Sequence, residues 1–383
     1  MNTQIKVCLV AGARPNFMKI GPVFSALDEV SGFDPFLIHT GQHYDDDLSR
    51  VFFDELRLPR PESHLQVGSG SHAAQTAVIM TKFEEIMQQR QPQVVLVVGD
   101  VTSTIACALV ACKFRLDEAF YYQGELRDRP VVVHVEAGLR SFDREMPEEI
   151  NRILTDSISD LLYVTEPSGV EHLTREGVAE DRIRLVGNVM IDTLLSARDR
   201  AMQSDVLERL GISERQYCVL TLHRPSNVDD PADLGAMLQQ LDALADQRKF
   251  VFPVHPRTRA KIDHAGVELR PDRWLMTPPI GYLDFIRLVA GSACVLTDSG
   301  GIQEETTVLG VPCVTLRENT ERPVTVSMGT NTLAGTDPEQ ISAAFDQALN
   351  GRSEAGVPDL WDGSAAVRIA ADMARRLLDG GDQ

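Results

Sequence analysis

The chain has 383 residues, of which 43% are hydrophobic and 24% charged, a globular balance that excludes a fibrous repeat or a largely disordered polypeptide. That length exceeds one ordinary core and points to two folding units. A formal net charge of -19 excludes nucleic acid or an anionic membrane as a bulk partner, while a small anion in a local basic pocket stays open.

In chain order, short apolar and β-branched runs alternate with helix-length amphipathic segments, which predicts parallel strands joined by crossover helices. The first half carries Val7 to Ala11, Pro35 to His39, Val94 to Val98, Val131 to Val135, Leu161 to Val164 and Ile183 to Val186, enough for one doubly wound sheet. After Gly187 the pattern restarts with Tyr217 to Leu222, Phe250 to Val254, Trp274 to Met276, Cys294 to Thr297 and Pro312 to Leu316, predicting a second. Asn188 to Leu195 is expected to open a connecting helix, and Ala365 to Leu378 reads as a closing one. The expected units are therefore 1–187 and 188–365, followed by a terminal helical segment, 366–383. The six cysteines show no C-x-x-C pair and read as reduced core residues. With neither a leader pattern nor an apolar run of bilayer length, the chain is expected in the cytoplasm.

Ligands of open α/β sheets bind at the carboxyl ends of the strands, so the polar residues just after each run are the informative ones. Arg14 and Lys19 follow the first strand, Asp100 the third, Glu136 the fourth, His223 and His255 the first two of the second half, and Ser299-Gly300-Gly301 a later one. The turn Gly12 to Asn16 lacks a full G-x-G-x-x-G and gives poor support for a dinucleotide. Arg14 and Lys19 suit a phosphate, or are two solvated cations at a helix start.

The segment Thr297 to Glu305 reads as strand end, glycine turn and helix start, where backbone N–H groups and the helix dipole favour a diphosphate. Glu305 is then placed to accept from a ribose diol. Alternatively, Ser299 only caps the helix and the glutamates complement its dipole. Desolvation at a strand rim makes Asp100 and Glu136 usable acids or bases near neutral pH, unless Asp100 merely caps a helix near Thr102. Pro147 to Arg152 reads as a helix start with an ion pair between Glu148 and Arg152. His223 and His255, each near an arginine, read as substrate contacts rather than core imidazoles. No spacing resembles a metal cage, so no metal is expected.

Taken together, GARPNFMK (12–19), GD-x-T-x-T (99–104), HVEAGLRS (134–141), PEE-x-NR (147–152), PVHP (253–256), TDSGGIQEE (297–305) and TERP (320–323) resemble the non-hydrolysing UDP-N-acetylglucosamine 2-epimerases. The resemblance runs from about residue 5 to 335, and its specificity lies in the joint order and spacing of the motifs. It implies two Rossmann-like domains facing a cleft, related to the GT-B glycosyltransferases, with the C-terminal helix returning to the first domain. The implied reaction inverts carbon 2 of a UDP-linked N-acetylhexosamine by elimination and re-addition of UDP, without an added cofactor.

Carried over by motif, Asp100, Glu136 and Glu148 are the acid and base carboxylates, with His223 and Arg152 in the same pocket. Ser299, Gly300, Gly301 and Arg322 resemble phosphate or nucleotide contacts, Glu305 the ribose partner and Phe285 the residue near uracil, and His255 lies in a matching motif. The family also implies a homodimer. Asn16, Val324 and Ile280 depart from the common family residues, which bears on the sugar accepted. A second, activating UDP-sugar is an open reading: Gln42-His43 matches the family segment, whereas His223-Arg224-Pro225 lacks its second arginine. The rival readings are a hydrolysing epimerase, a 2-epimerase for a modified sugar such as a UDP-diacetamido uronic acid, a GT-B glycosyltransferase and a nucleotide-sugar sensor.

Overall fold

The computed structural model describes residues 4–12, 14–41, 59–68, 70–351 and 356–378. The chain forms two compact units, Met1–Thr193 with Asp359–Gln383, and Leu194–Pro358.

The first unit is built on β1 (Ile5–Ala11), β2 (Phe33–His39), β3 (Ser63–His64), β4 (Val94–Val98), the separate antiparallel hairpin β5 (Phe120–Tyr122) and β6 (Glu125–Arg127), then β7 (Val131–Ala137), β8 (Leu161–Val164) and β9 (Ile183–Leu185). The main sheet runs β3-β2-β1-β4-β7-β8-β9 with every pairing parallel. β4, β7 and β8 are buried at every residue, because a sheet covered on both faces needs apolar side chains on both. Strand order reverses between β1 and β4, which opens a crevice at their carboxyl ends. Three helices follow that rim: α1 (Arg14–Asp28), α2 (Thr102–Ala111) and α3 (Pro147–Ile158). A fourth, α4 (Val189–Ala201), leads out of the unit.

The second unit repeats the plan with β10 (Tyr217–Thr221), β11 (Lys249–Pro253), β12 (Trp274–Thr277), β13 (Cys294–Thr297), β14 (Cys313–Thr315) and β15 (Asn331–Leu333), in the parallel order β12-β11-β10-β13-β14-β15. Its order reverses between β10 and β13. The helices that matter for its rim are α5 (Tyr282–Gly291) and α6 (Gly300–Leu309). Strands β3, β5, β6 and β15 were not expected from sequence; each has two or three residues, too few to display a period of two.

The closing helix, α7 (Ala365–Leu377), belongs to the first unit and packs on α1. Its N-terminal amides of Ala365 and Ala366 donate to the Asp192 carboxylate at 3.1 and 2.7 Å, a negative charge at the positive end of the helix dipole. Tyr163 in β8 donates to Asp372 at 3.0 Å, and Arg376 pairs with the same carboxylate. These anchors explain why the units divide at Thr193 and Asp359 rather than at the expected residues 187 and 366: Asp192 caps α7, and the Thr193 hydroxyl donates to the Met18 carbonyl. Among the described residues, no helix is long and apolar enough to cross a membrane.

Candidate active site

The rim of the first unit gathers Lys19, Asp100, Glu136 and Arg152. Glu136 sits in β7 at a β-bulge, where the register with β8 shifts between Val135 and Ala137, and its φ is 72°. A left-handed glutamate in a strand is uncommon, and bulges of this kind re-aim a side chain. Here the buried carboxylate meets Lys19 of α1, with Oε2 2.5 Å from Nζ.

Asp100 follows β4 after Gly99, whose φ is 67°. Of the two readings open for Asp100, helix capping is excluded: the N-cap of α2 is Val101, with no side-chain cap bond. The Asp100 carboxylate instead accepts from Arg152 Nε at 3.0 Å, and its carbonyl accepts from Asn151 Nδ2 at 2.8 Å. An alanine Cβ at Gly99 would stand 3.3 Å from Lys19 Nζ, so the two carboxylate pairs are close neighbours.

The two adjacent glutamates at the start of α3 have opposite fates. Glu149 is buried and accepts from Ser141 N at 3.0 Å, Ser141 Oγ at 3.1 Å and Phe142 N at 2.9 Å, and it also pairs with Arg152. Glu148 is exposed. The expected ion pair of Glu148 with Arg152 is therefore corrected: Arg152 pairs with Glu149, one residue on, and with Asp100. A helix brings i,i+3 as well as i,i+4 positions together, and burial selected the former. Arg14 opens α1, but its side chain lies outside the described residues, as do Gln42 and His43.

In the second unit, His223 follows β10 with an exposed side chain, and its Nδ1 lies 2.7 Å from Asp298 Oδ1. Asp298 is fully buried and also accepts from the backbone N–H groups of His223 and Arg224 and from Asn227. Burial alone raises a carboxyl pKa, but the imidazole and these amides hold Asp298 below the usual range. An ionised carboxylate on Nδ1 orients the ring and leaves Nε2 for a ligand.

Ser299 is the N-cap of α6, yet no side-chain cap bond forms, so helix capping does not account for its hydroxyl. Gly300 and Gly301 open the helix beside it. Glu304 is buried against Arg322, with 2.5 Å between Oε1 and Nε. Glu305 is buried and accepts from the Tyr282 hydroxyl at 3.1 Å. Its burial, opposed by that bond and reinforced by Glu304, pushes the carboxyl up to about 7.

Glu321 ties Arg224 and Arg317 together at 3.0 and 2.7 Å. Burial is outweighed by the surrounding arginines, so its carboxyl falls well below the usual range. Phe285 in α5 is half-buried and, like Ile280, packs against the apolar cluster that includes Tyr217 and Leu288, and His255 stands exposed after β11. Sequence reasoning assigned no role to Glu149, Asp298, Tyr282 or Glu321. The motifs PEE, TDSGG and TERP contain three of them, and their only local signal is a carboxylate in a glycine- or proline-marked turn.

A family model described as UDP-N-acetylglucosamine 2-epimerase matches residues 25–374. The chain belongs to the UDP-N-acetylglucosamine 2-epimerase family. It is 38% identical over 354 residues to the UDP-N-acetylglucosamine 2-epimerase of Methanocaldococcus jannaschii, spanning 90% of this chain and 93% of that one. It is also 35% identical to the UDP-2,3-diacetamido-2,3-dideoxy-D-glucuronate 2-epimerase of Pseudomonas aeruginosa, over 97% of this chain and 100% of that one. Among solved structures, the M. jannaschii epimerase in complex with UDP-GlcNAc and UDP aligns with a TM-score of 0.87 and 36% identity, covering 97% of this chain and 99% of that one. The family match spans the Asp100 and Glu136 rim of the first unit and the His223 and Ser299 rim of the second.

Proposed function

We propose that this enzyme interconverts UDP-N-acetylglucosamine and UDP-N-acetylmannosamine by elimination and re-addition of UDP. The observation that carries the reading is the pair of carboxylates at the ends of neighbouring strands β4 and β7, Asp100 on Arg152 and Glu136 on Lys19. In the forward step a carboxylate takes the carbon 2 proton. The released electron pair forms the bond between carbons 1 and 2, and the bond from carbon 1 to the diphosphate oxygen breaks, leaving a glycal and UDP. In the return step UDP adds to carbon 1 while an acid delivers a proton to the other face of carbon 2. Carbon 2 is neither oxidised nor reduced overall, so the chemistry calls for no redox cofactor.

Asp100, Glu136 and Glu148 share the acid and base roles. Arg14, Lys19, Arg152 and His223 counter the charge on the departing diphosphate. Ser299, Gly300, Gly301 and Arg322 hold the nucleotide phosphates at the start of α6, Glu305 accepts from the ribose, Phe285 lies beside the uracil, and His255 contributes a further polar contact. The reading also includes a cytoplasmic homodimer, which sedimentation of the purified chain tests.

The deciding experiment is proton NMR of UDP-N-acetylglucosamine with the enzyme in deuterated water, with no metal, nicotinamide or acceptor added. UDP-N-acetylmannosamine carrying deuterium at carbon 2 is the expected product. Free N-acetylmannosamine would mean hydrolysis, and turnover only with an acceptor would mean glycosyl transfer. The P. aeruginosa relative supports a second reading, a UDP-diacetamido uronic acid as substrate. A kcat/KM for that sugar at least tenfold above that for UDP-N-acetylglucosamine would favour it, about 1.4 kcal/mol of transition-state preference.

A further inference from the structure

Behind the Asp100 turn lies a buried imidazole that the proton transfers above do not use. His134 of β7 is fully buried, with Nδ1 2.7 Å from Asp156 Oδ1 and Nε2 2.9 Å from the carbonyl oxygen of Gly99. A carbonyl oxygen only accepts, so Nε2 donates. Asp156 is also an acceptor: burial raises its carboxyl, but His134 and Arg140 outweigh that and hold it below the usual range. Both ring nitrogens thus face acceptors, and the hydrogen-bond geometry calls for an N–H on each. Asp156 Oδ2 accepts from Gly138 N at 3.1 Å and pairs with Arg140 at 2.7 Å, whose guanidinium also forks onto Glu176 at 2.8 and 2.7 Å. The imidazole, the Arg140 guanidinium and the carboxylates of Asp156 and Glu176 thus pair within one cluster, as buried polar and charged groups require.

The cluster ends on the peptide that carries Asp100. Gly99 N donates to Val135 O at 3.1 Å, and Gly99 O accepts from His134, so both polar atoms of that residue are pinned to β7. With Gly99 in a left-handed conformation, rotation of its peptide plane would swing the Asp100 side chain directly. A valine at position 134, like Val133 and Val135 beside it, would need no charge balance but would give Gly99 no donor.

We propose that His134, oriented by Asp156, is a positioning residue that aims the Asp100 carboxylate by clamping the Gly99 carbonyl. The proposal rests on the reading that Asp100 exchanges a proton with the sugar. A misplacement of about 1 Å at such a group costs about a hundredfold in rate.

Two measurements on the full chain test it. With ring-15N histidine, long-range proton–nitrogen NMR at assay pH should show one histidine whose two ring N–H protons both exchange slowly with water. If every histidine shows an unprotonated ring nitrogen, the proposal is overturned, and this arm needs no variant to fold. In turnover, His134→Gln, which places one amide where two ring donors stood, should lower kcat about 30- to 100-fold with KM and UDP affinity held within about twofold. An unchanged kcat, or KM and UDP Kd rising together with it, would overturn the clamp. Asp100→Asn separates the two ideas. Its full activity would sink the Asp100 reading and the clamp with it, while a dead Asp100→Asn beside a fully active His134→Gln would sink the clamp alone.

Discussion

Lys19 Nζ lies 2.5 Å from Glu136 Oε2, and the contact depends on the left-handed backbone at Glu136, which turns that carboxylate out of the regular alternation of β7. Both side chains are nearly or fully buried. Removing one partner of a buried pair costs about 3–5 kcal/mol. Lys19→Met should therefore lower the urea midpoint by that equivalent, and kcat should fall at least about a hundredfold. A variant of wild-type stability and rate would show that the pair is incidental.

Gly99 should tolerate no side chain. Alanine there would be strained at φ 67° by roughly 1–2 kcal/mol, and its Cβ would stand 3.3 Å from Lys19 Nζ and 3.5 Å from Asn16 Nδ2. Gly99→Ala is expected to reduce kcat more than it reduces UDP affinity, because most of the proposed nucleotide contacts, Ser299, Gly300, Gly301, Glu305, Arg322 and Phe285, lie in the second unit. Isothermal titration with UDP beside steady-state kinetics checks the split.

Glu148 and Glu149 form an internal control. Glu149→Gln should destabilise the fold by about 2–4 kcal/mol, since it keeps the shape but weakens four interactions of a buried carboxylate. Exposed Glu148→Gln should change stability by no more than about 0.5 kcal/mol while slowing turnover. Chemical denaturation and initial rates on the same samples decide it, and the reverse pattern would exchange the two assignments.

Glu305 makes stability depend on pH in a defined direction. Its folded carboxyl is raised to about 7 from an ordinary 4.5, so between these values the native state binds more proton than the unfolded chain. Stability should then be greatest below about pH 4.5 for this group and fall as pH rises through 7, by on the order of 3 kcal/mol in the limit. Other groups superpose their own slopes, so the test is a difference: Glu305→Gln should gain stability relative to wild type on going from pH 5 to pH 8 in urea titrations without nucleotide. A constant difference would show that Glu305 does not titrate in this window.

Much of this protein is local, and local features are what a sequence states. The runs Val94 to Val98 and Val131 to Val135 announce fully buried parallel strands by composition alone, and the residue after a strand is necessarily at its rim, so Asp100, His223 and Ser299 could be named before any fold was known. The restart of the strand-helix pattern after Gly187 likewise announces two sheets.

The partners of those residues were another matter. Nothing near Arg152 distinguishes Asp100, 52 positions away, from Glu148 beside it, and nothing near His223 points to Asp298, 75 positions on. His134 reads as one polar residue in an apolar strand until α3 brings Asp156 against it, 22 positions later. Composition and periodicity thus determined the sheets and their rims. Which carboxylate is buried, which cation it meets and which way it points were decided only when distant segments packed, because burial and pairing energies depend on neighbours in space rather than in sequence.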